Sequence, residues 1–176
     1  MRKTVLTFGL ISGVLISVLM YISFLQIDEN MNFESSEIYG YLTMLVSLSF
    51  IFVGVKMLRD KHQSGKITFV RAFLAGLYIS IISSVMYAVT WEVYLYNSKV
   101  DFMKIYSAGQ LEKMKKEGAS ETEIQEKAET MKSLTEIYDN PVLRFGMTIS
   151  EMLPVGILVS LITAGILRRK EILPAT

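Results

Sequence analysis

The sequence predicts an all-α integral membrane protein: a four-helix transmembrane bundle with an extracytoplasmic helical hairpin between helices three and four. Composition and charge pattern predict this fold class. The 176 residues are 51% hydrophobic, and their mean hydropathy is +0.39. The charged residues are collected into blocks, and long uncharged stretches separate these blocks.

Four apolar stretches are long enough to cross a bilayer, which takes about 20 apolar residues. Three of them have cores without any charged residue, and the fourth is interrupted only by Arg144 and Glu151. The first stretch is longer than the apolar core of a secretion signal and no cleavage motif follows it, so we expect it to be retained. The predicted transmembrane helices lie at about 4–27, 38–58, 67–96 and 141–168, within one domain of residues 1–176.

Basic residues predict the orientation, because they remain on the cytoplasmic side of the membrane. They occur at the N-terminus, in the turn at 56–71 and in the C-terminal tail, whereas the loop between helices one and two has four acids and no basic residue. We therefore expect a multi-pass protein of the cytoplasmic (inner) membrane with both termini in the cytoplasm. The segment 97–140 is then outside, where its seven lysines are offset by nine acids.

The segment 97–140 has the signals of two helices rather than of a flexible charged linker, which is the alternative. Gly118 suits a C-terminal helix cap, and Ser120 with Glu123 forms a capping box. Asn140 and Pro141 then suit the cap and first turn of helix four. Apolar residues recur at helical spacing in two stripes: Val100, Met103, Ser107, Leu111 and Met114, then Ile124, Ala128, Met131, Thr135 and Tyr138. Such stripes either pack the two helices together or bind a protein partner.

Small residues predict how the membrane helices associate. Lipid is as apolar as leucine, so helices pack where small side chains let their backbones approach. Helices one, three and four have small residues at four-residue spacing, whereas helix two has no comparable series and is expected to be peripheral. One series could instead serve a homodimer. The predicted packing residues are Gly9, Gly13, Ala72, Gly76, Ser80, Ser84, Gly156 and Ser160.

Charged residues near the outer membrane edge are candidates for a polar or ligand site, because ionised groups in hydrocarbon are usually paired or face a cavity. We expect Glu92 and Arg144 to pair across helices three and four. We expect Glu151, about 5 Å below the edge at 1.5 Å per residue, to point inward toward Thr90 or Tyr87.

Pro154 cannot donate to the carbonyl of Ser150, so helix four should kink beside Glu151. The kink and the acid either serve packing alone, or form a polar pocket for a ligand or proton of the kind that transporters use. Both interpretations remain open at this stage.

Enzymatic signatures are absent from the sequence. The chain has no cysteine, which excludes disulfides and thiolate chemistry, and His62 is a lone histidine in a charged turn. No nucleophile with a nearby histidine and acid, and no glycine-rich phosphate loop, is recognisable. We expect no enzymatic activity, no metal and no cofactor, and the net charge of +1 gives no general attraction to nucleic acid.

Several segments together resemble a bacterial membrane family catalogued as domain of unknown function 4199. They are "GKITFVRAF", "ISSVMYAVTWEVY", "YDNP" and "EMLPVGILVSLITAGILRRK", in this order. The resemblance implies a small four-helix protein of the cytoplasmic membrane without an assigned activity. It also implies that six residues match recurrent motif positions: Arg71, Thr90, Trp91, Glu92, Glu151 and Pro154.

Two functions from different classes follow from these observations. The first is a non-enzymatic envelope scaffold or accessory protein whose outer hairpin contacts a partner. The alternative is a small transporter or proton-coupled carrier subunit that uses Glu151 and Glu92 near the Pro154 kink. A third function, an enzyme acting on lipid, has the least support, since no nucleophile or metal set is visible.

The orientation can be tested with single cysteines, because the chain contains none of its own. A membrane-impermeant maleimide should label Glu126→Cys in intact cells and Lys61→Cys only after the membrane is permeabilised. The opposite labelling pattern would show that the predicted topology is inverted.

Overall fold

A computed structural model describes residues 1–24, 33–98 and 101–168. Within these ranges the chain forms helices and no strand, and four of the helices are long and apolar enough to cross a membrane. The all-α fold class with four membrane-spanning helices is therefore confirmed. The helices are α1 (Arg2–Phe24), α2 (Phe33–His62), α3 (Phe69–Ser98), α4 (Phe102–Lys116), α5 (Glu121–Tyr138) and α6 (Pro141–Leu167).

The long helices begin and end within a few residues of the predicted bounds, except that α2 starts at Phe33. Residues 25–27, assigned to the first span by the sequence, and Val100 of the first apolar stripe lie outside the described residues. What the sequence predicts for these residues is therefore not tested by the structure.

Local sequence accounts for the ends of α4, α5 and α6. The predicted capping box is confirmed: the Ser120 amide donates to Glu123 Oε2 over 2.8 Å, and the Glu123 amide donates to Ser120 Oγ over 3.3 Å. These hydrogen bonds favour the ionised carboxylate and lower the pKa of Glu123. Gly118 has a φ of 80°, a conformation that L side chains rarely adopt. Asn140 caps α6 by accepting hydrogen bonds from two backbone amides, with Pro141 in the first turn.

The most extensive contact between the described helices joins α3 and α6, and it uses the predicted small residues in a reciprocal way. A Cβ on Gly76 would lie 2.8 Å from Ser160 Oγ, and a Cβ on Gly156 would overlap the side chain of Ser80. The two helices therefore run antiparallel with glycine facing serine twice. Ala72 and Ser84 of the same series are fully buried as well.

The contact between α1 and α3 follows the same rule. A Cβ on Gly9 would lie 2.9 Å from Ile82, and one on Gly13 would overlap Met86. Two large side chains of α3, four residues apart, thus enter the space left by two glycines of α1. The predicted series are occupied within the chain, so a homodimer would have to use other surfaces.

The expectation that helix two is peripheral is wrong. α2 packs against α1, α3 and α6, and Leu48, Ile51 and Val55 are completely buried. Its close approach depends on Gly54, where a Cβ would lie 2.9 Å from both Phe8 and Ile79. A single glycine gives no recurring series, which is why the sequence pattern does not reveal this contact.

The outer surface of the four long helices is apolar, while small and hydroxyl-bearing residues are buried between them. Ser12, Ser83 and Ser160 are completely buried and donate to carbonyl oxygens. The exposed side chains include Leu6, Leu10, Val14, Val18, Val46, Val53, Val85, Val89 and Leu158. Such a surface requires lipid rather than water, as expected for a multi-pass membrane protein.

The α3–α6 contact predicts different effects for two glycines of α6. Gly156→Ala should destabilise the protein by about 1–3 kcal/mol, because the new methyl overlaps Ser80. Gly165→Ala should be neutral or slightly stabilising, because nothing lies within 4 Å of its Cβ position and alanine favours a helix. Thermal unfolding in detergent measures both changes. Equal destabilisation by the two variants would contradict this packing.

Candidate functional site

The predicted pairing of Glu92 with Arg144 is confirmed. Arg144 Nε donates to Glu92 Oε1 over 2.8 Å, and Arg144 Nη2 donates to Glu92 Oε2 over 2.6 Å. Arg144 Nη1 also donates to the backbone carbonyl of Tyr138 over 2.9 Å. Two parallel hydrogen bonds between a guanidinium and a carboxylate give both strength and a defined geometry. The pair therefore joins α3, α6 and the end of α5.

Aromatic rings extend this connection to α4. Trp91 Nε1 donates to Tyr138 Oη over 2.5 Å, and the Trp91 and Phe102 rings meet edge to face at 4.9 Å between centroids. Phe102 stacks on Tyr138 at 5.9 Å, and the Arg144 guanidinium carbon lies 5.4 Å from the Tyr138 ring centroid. We call these five residues, Trp91, Glu92, Phe102, Tyr138 and Arg144, the junction. The junction fastens the α4–α5 pair to α3 and α6.

Tyr138 is the residue of the junction that contacts the most of its other members. Burial raises the pKa of its hydroxyl, and the negative charges of Glu151 and Glu92 act in the same direction. The hydroxyl therefore stays protonated at neutral pH. It can accept the Trp91 hydrogen bond without carrying a charge.

The sequence anticipated part of this junction. Trp91 and Tyr94 are buried in the structure, whereas Tyr96, near the same end of α3, is exposed. Phe102 was missed, although it directly follows Asp101, which caps α4 by accepting from the Lys104 amide. An aromatic residue directly after a helix-capping residue was the sequence signal that could have indicated a packed position for Phe102.

A cavity of about 410 Å³ lies beside the junction. Its charged lining is acidic on balance, with three carboxylates and one guanidinium. Aromatic rings form another part of the wall, so the cavity suits a ligand that carries positive charge. The charged and aromatic lining residues are Glu92, Asp101, Asp139, Arg144, Tyr96, Phe102 and Tyr138.

Glu151 was expected to point inward toward Thr90 or Tyr87, and the structure supports this expectation only in part, because its charge acts on the hydroxyls of Tyr87 and Tyr138. Glu151 is exposed on α6, and its carboxylate has no hydrogen bond or ion pair with any of the described residues. Tyr87 is close enough for the carboxylate charge to act on its hydroxyl, but no hydrogen bond joins the two. Thr90 faces α1 instead, where its Oγ1 donates to Ser17 Oγ over 2.8 Å.

Pro154 lies on the same exposed side of α6 as Glu151. The helix continues through it from Pro141 to Leu167, so the backbone is not broken there. Glu151 and Pro154 are also absent from the lining of the cavity beside the junction. The structure thus brings Glu92 and Arg144 together and leaves Glu151, Thr90 and Pro154 apart from them.

The apolar stripes of α4 and α5 are buried in part. Met103 and Met131 are buried, and Leu111, Ile124 and Leu134 are half-buried. The two helices contact each other. Of the two interpretations of the stripes, this burial favours packing within the protein for Met103 and Met131.

The residues that the structure describes contain no group of three side chains able to hold a metal ion.

A family described as "Protein of unknown function (DUF4199)" matches residues 7–169. The chain belongs to this family. The match covers all four membrane-spanning helices and the α4–α5 pair, and so includes the whole junction. Among curated proteins and solved structures, nothing matches the chain.

Because both side chains of the Glu92–Arg144 pair are largely buried, at 25% and 17% exposure, the pair should show strong energetic coupling. In a double-mutant cycle with Glu92→Gln and Arg144→Gln, we expect a coupling energy of about 1–3 kcal/mol. The double variant should lose less stability than the sum of the losses in the two single variants. Denaturation in detergent provides the measurement.

The exposed pair Lys113–Glu117, at 4.0 Å on α4, is the control, and its cycle should show no measurable coupling. Similar coupling at both pairs would mean that the Glu92–Arg144 pair does not hold the junction together.

Proposed function

We propose that this member of the family is a non-enzymatic scaffold or accessory protein of the cytoplasmic membrane, with both termini in the cytoplasm. In this proposal α4 and α5 form an extracytoplasmic hairpin that contacts a partner in the envelope. The observation that carries the proposal is the junction. A hairpin fastened to α3 and α6 by two charged hydrogen bonds and an aromatic cluster holds a fixed position above the membrane, as a docking element requires.

The surface available to a partner is polar. The exposed side of α5 carries Glu126, Glu129 and Glu136, whereas Met131 on the opposite side packs inward. A partner would therefore be recognised by charge and hydrogen bonding, and a complementary basic surface suits it best. Such contacts favour a reversible association over an obligate one.

A carrier is the second candidate, and the cavity beside the junction is what favours it. Glu92 and Arg144 line this cavity, and a buried ion pair can exchange its partner for a charged ligand. The role first assigned to Glu151 has less support, because its side chain lies outside that cavity. Uptake of protons or an organic cation into proteoliposomes, abolished by Glu92→Gln, would favour the carrier over the scaffold.

The scaffold proposal is tested by photo-crosslinking in intact membranes. A photoreactive amino acid at Glu126 should give an adduct of one defined mass, and the same group at Val85, an exposed apolar residue of α3, should not. The adduct should weaken severalfold in Trp91→Ala, because that change removes the ring and hydrogen bond that hold the hairpin.

Mass spectrometry of the adduct identifies the partner, and a mass of twice the chain would identify a second copy. Adducts that form equally from Glu126 and Val85, or that do not respond to Trp91→Ala, would contradict a fixed docking element.

A further inference from the structure

The end of the protein opposite the junction contains a buried charge that the proposed function does not use. Arg59 lies near the C-terminal end of α2 and is completely buried as a residue. It is the largest of the fully buried side chains among the described residues. A buried arginine in a membrane protein marks a candidate functional site, since its charge needs a partner.

The contacts of Arg59 leave most of its guanidinium unused. Its Nε donates to Asp60 Oδ1 over 2.6 Å. The other oxygen of the same carboxylate, Oδ2, accepts from Lys56 Nζ over 2.7 Å. Nη1 and Nη2 of Arg59 are buried and have no hydrogen-bond partner among the residues that the structure describes. Because these two atoms carry four N–H donors, the larger part of the hydrogen-bonding fork is unsatisfied.

The charges of Lys56, Arg59 and Asp60 also do not balance, because this set has one negative charge too few. Among the described residues, Arg59 and Lys56 share a single carboxylate, so the trio of Lys56, Arg59 and Asp60, of which Lys56 is partly exposed, carries a net charge of +1. An arginine cannot become neutral by losing its proton in a protein. A buried charge is tolerated only where an opposite charge or hydrogen bonds compensate it. The missing group is therefore an anion that accepts several hydrogen bonds.

Its position places the site at the membrane surface. The sequence predicts that the hydrocarbon part of helix two ends near residue 58, which puts Arg59 in the layer of the lipid headgroups. Around it, residues 56–71 contain five lysines and arginines and one acid. Lys56 is 31% exposed, so the trio reaches the surface on that side.

We propose that Arg59, with Lys56 at its entrance, binds the phosphate of an anionic phospholipid headgroup. A guanidinium fork matches the geometry of a phosphate and forms two parallel hydrogen bonds with it. Basic pockets between membrane helices are suited to anionic headgroups. An anionic headgroup phosphate would accept hydrogen bonds from Nη1 and Nη2 of Arg59. It would also balance the surplus positive charge. This site is independent of what the α4–α5 pair contacts.

The test measures thermal unfolding of the full chain in detergent micelles that contain phosphatidylglycerol, phosphatidylcholine or inorganic phosphate. Phosphatidylglycerol should raise the Tm of the unchanged protein by about 5 °C, as a ligand specific to the folded state does. Phosphatidylcholine should raise it less, because it carries no net charge. Arg59→Gln should lose more than half of the rise.

The matched control is Arg71→Gln, since Arg71 is an exposed arginine of the same region that bonds to Gln63 Oε1. It should keep the full rise. If Arg59→Gln does not fold, Arg59→Lys replaces it, and it should again show a smaller rise because lysine lacks the guanidinium fork.

A rise with inorganic phosphate alone, lost in Arg59→Gln, would support the anion site and assign it to a soluble phosphate. Absence of any rise with all three additives would overturn the proposal. So would an equal rise in the unchanged protein, Arg59→Gln and Arg71→Gln.

Discussion

The close approach of α3 and α6 is the contact on which the rest of the structure depends. Apolar side chains gain nothing by leaving lipid for another helix, so association relies on backbones that approach closely. Gly76 faces Ser160 and Gly156 faces Ser80, which sets one antiparallel register. Glu92 lies twelve residues beyond Ser80, and Arg144 lies twelve residues before Gly156. The same register therefore brings the acid and the base together at the end of the two helices.

The two ends of the protein handle charge in different ways. At the junction, Glu92 and Arg144 satisfy each other, and Tyr138 accepts from Trp91 and offers its carbonyl to Arg144. The Glu92–Arg144 pair has no net charge, and its two side chains form hydrogen bonds with each other. This arrangement suits a structural connection to the α4–α5 pair. At the opposite end, Arg59 shares one carboxylate with Lys56, and two of its nitrogen atoms have no hydrogen-bond partner in the described part of the chain. An unbalanced charge at the headgroup layer suits an interaction with lipid.

Glu151 shows how position on a helix decides the role of a polar residue. Arg144 and Glu151 are seven residues, or about two turns, apart on α6, and of the two only Arg144 forms an ion pair with a described residue. Glu151 lies on the exposed side together with Pro154. An exposed carboxylate near the end of a membrane-spanning helix is less costly than one at its centre, because water and headgroups lie nearby. Its carboxylate forms no hydrogen bond with a described residue, although its charge acts on the hydroxyl of Tyr138.

The sequence by itself determined the elements and several of their contacts. The lengths of the apolar stretches specified four membrane-spanning helices, and the capping residues Ser120 and Asn140 specified where two helices start. Because charged residues are scarce in the membrane-spanning stretches, the Glu92–Arg144 pair could be predicted. Only the tertiary structure decided which face of each helix points inward. It placed Glu151 outward, turned Thr90 toward Ser17, brought α2 into the core at Gly54 and buried Arg59. The physical reason is that all four long helices are apolar around most of their circumference, so periodicity distinguishes their faces poorly. The packing of small residues against neighbouring helices then sets the rotation of each helix.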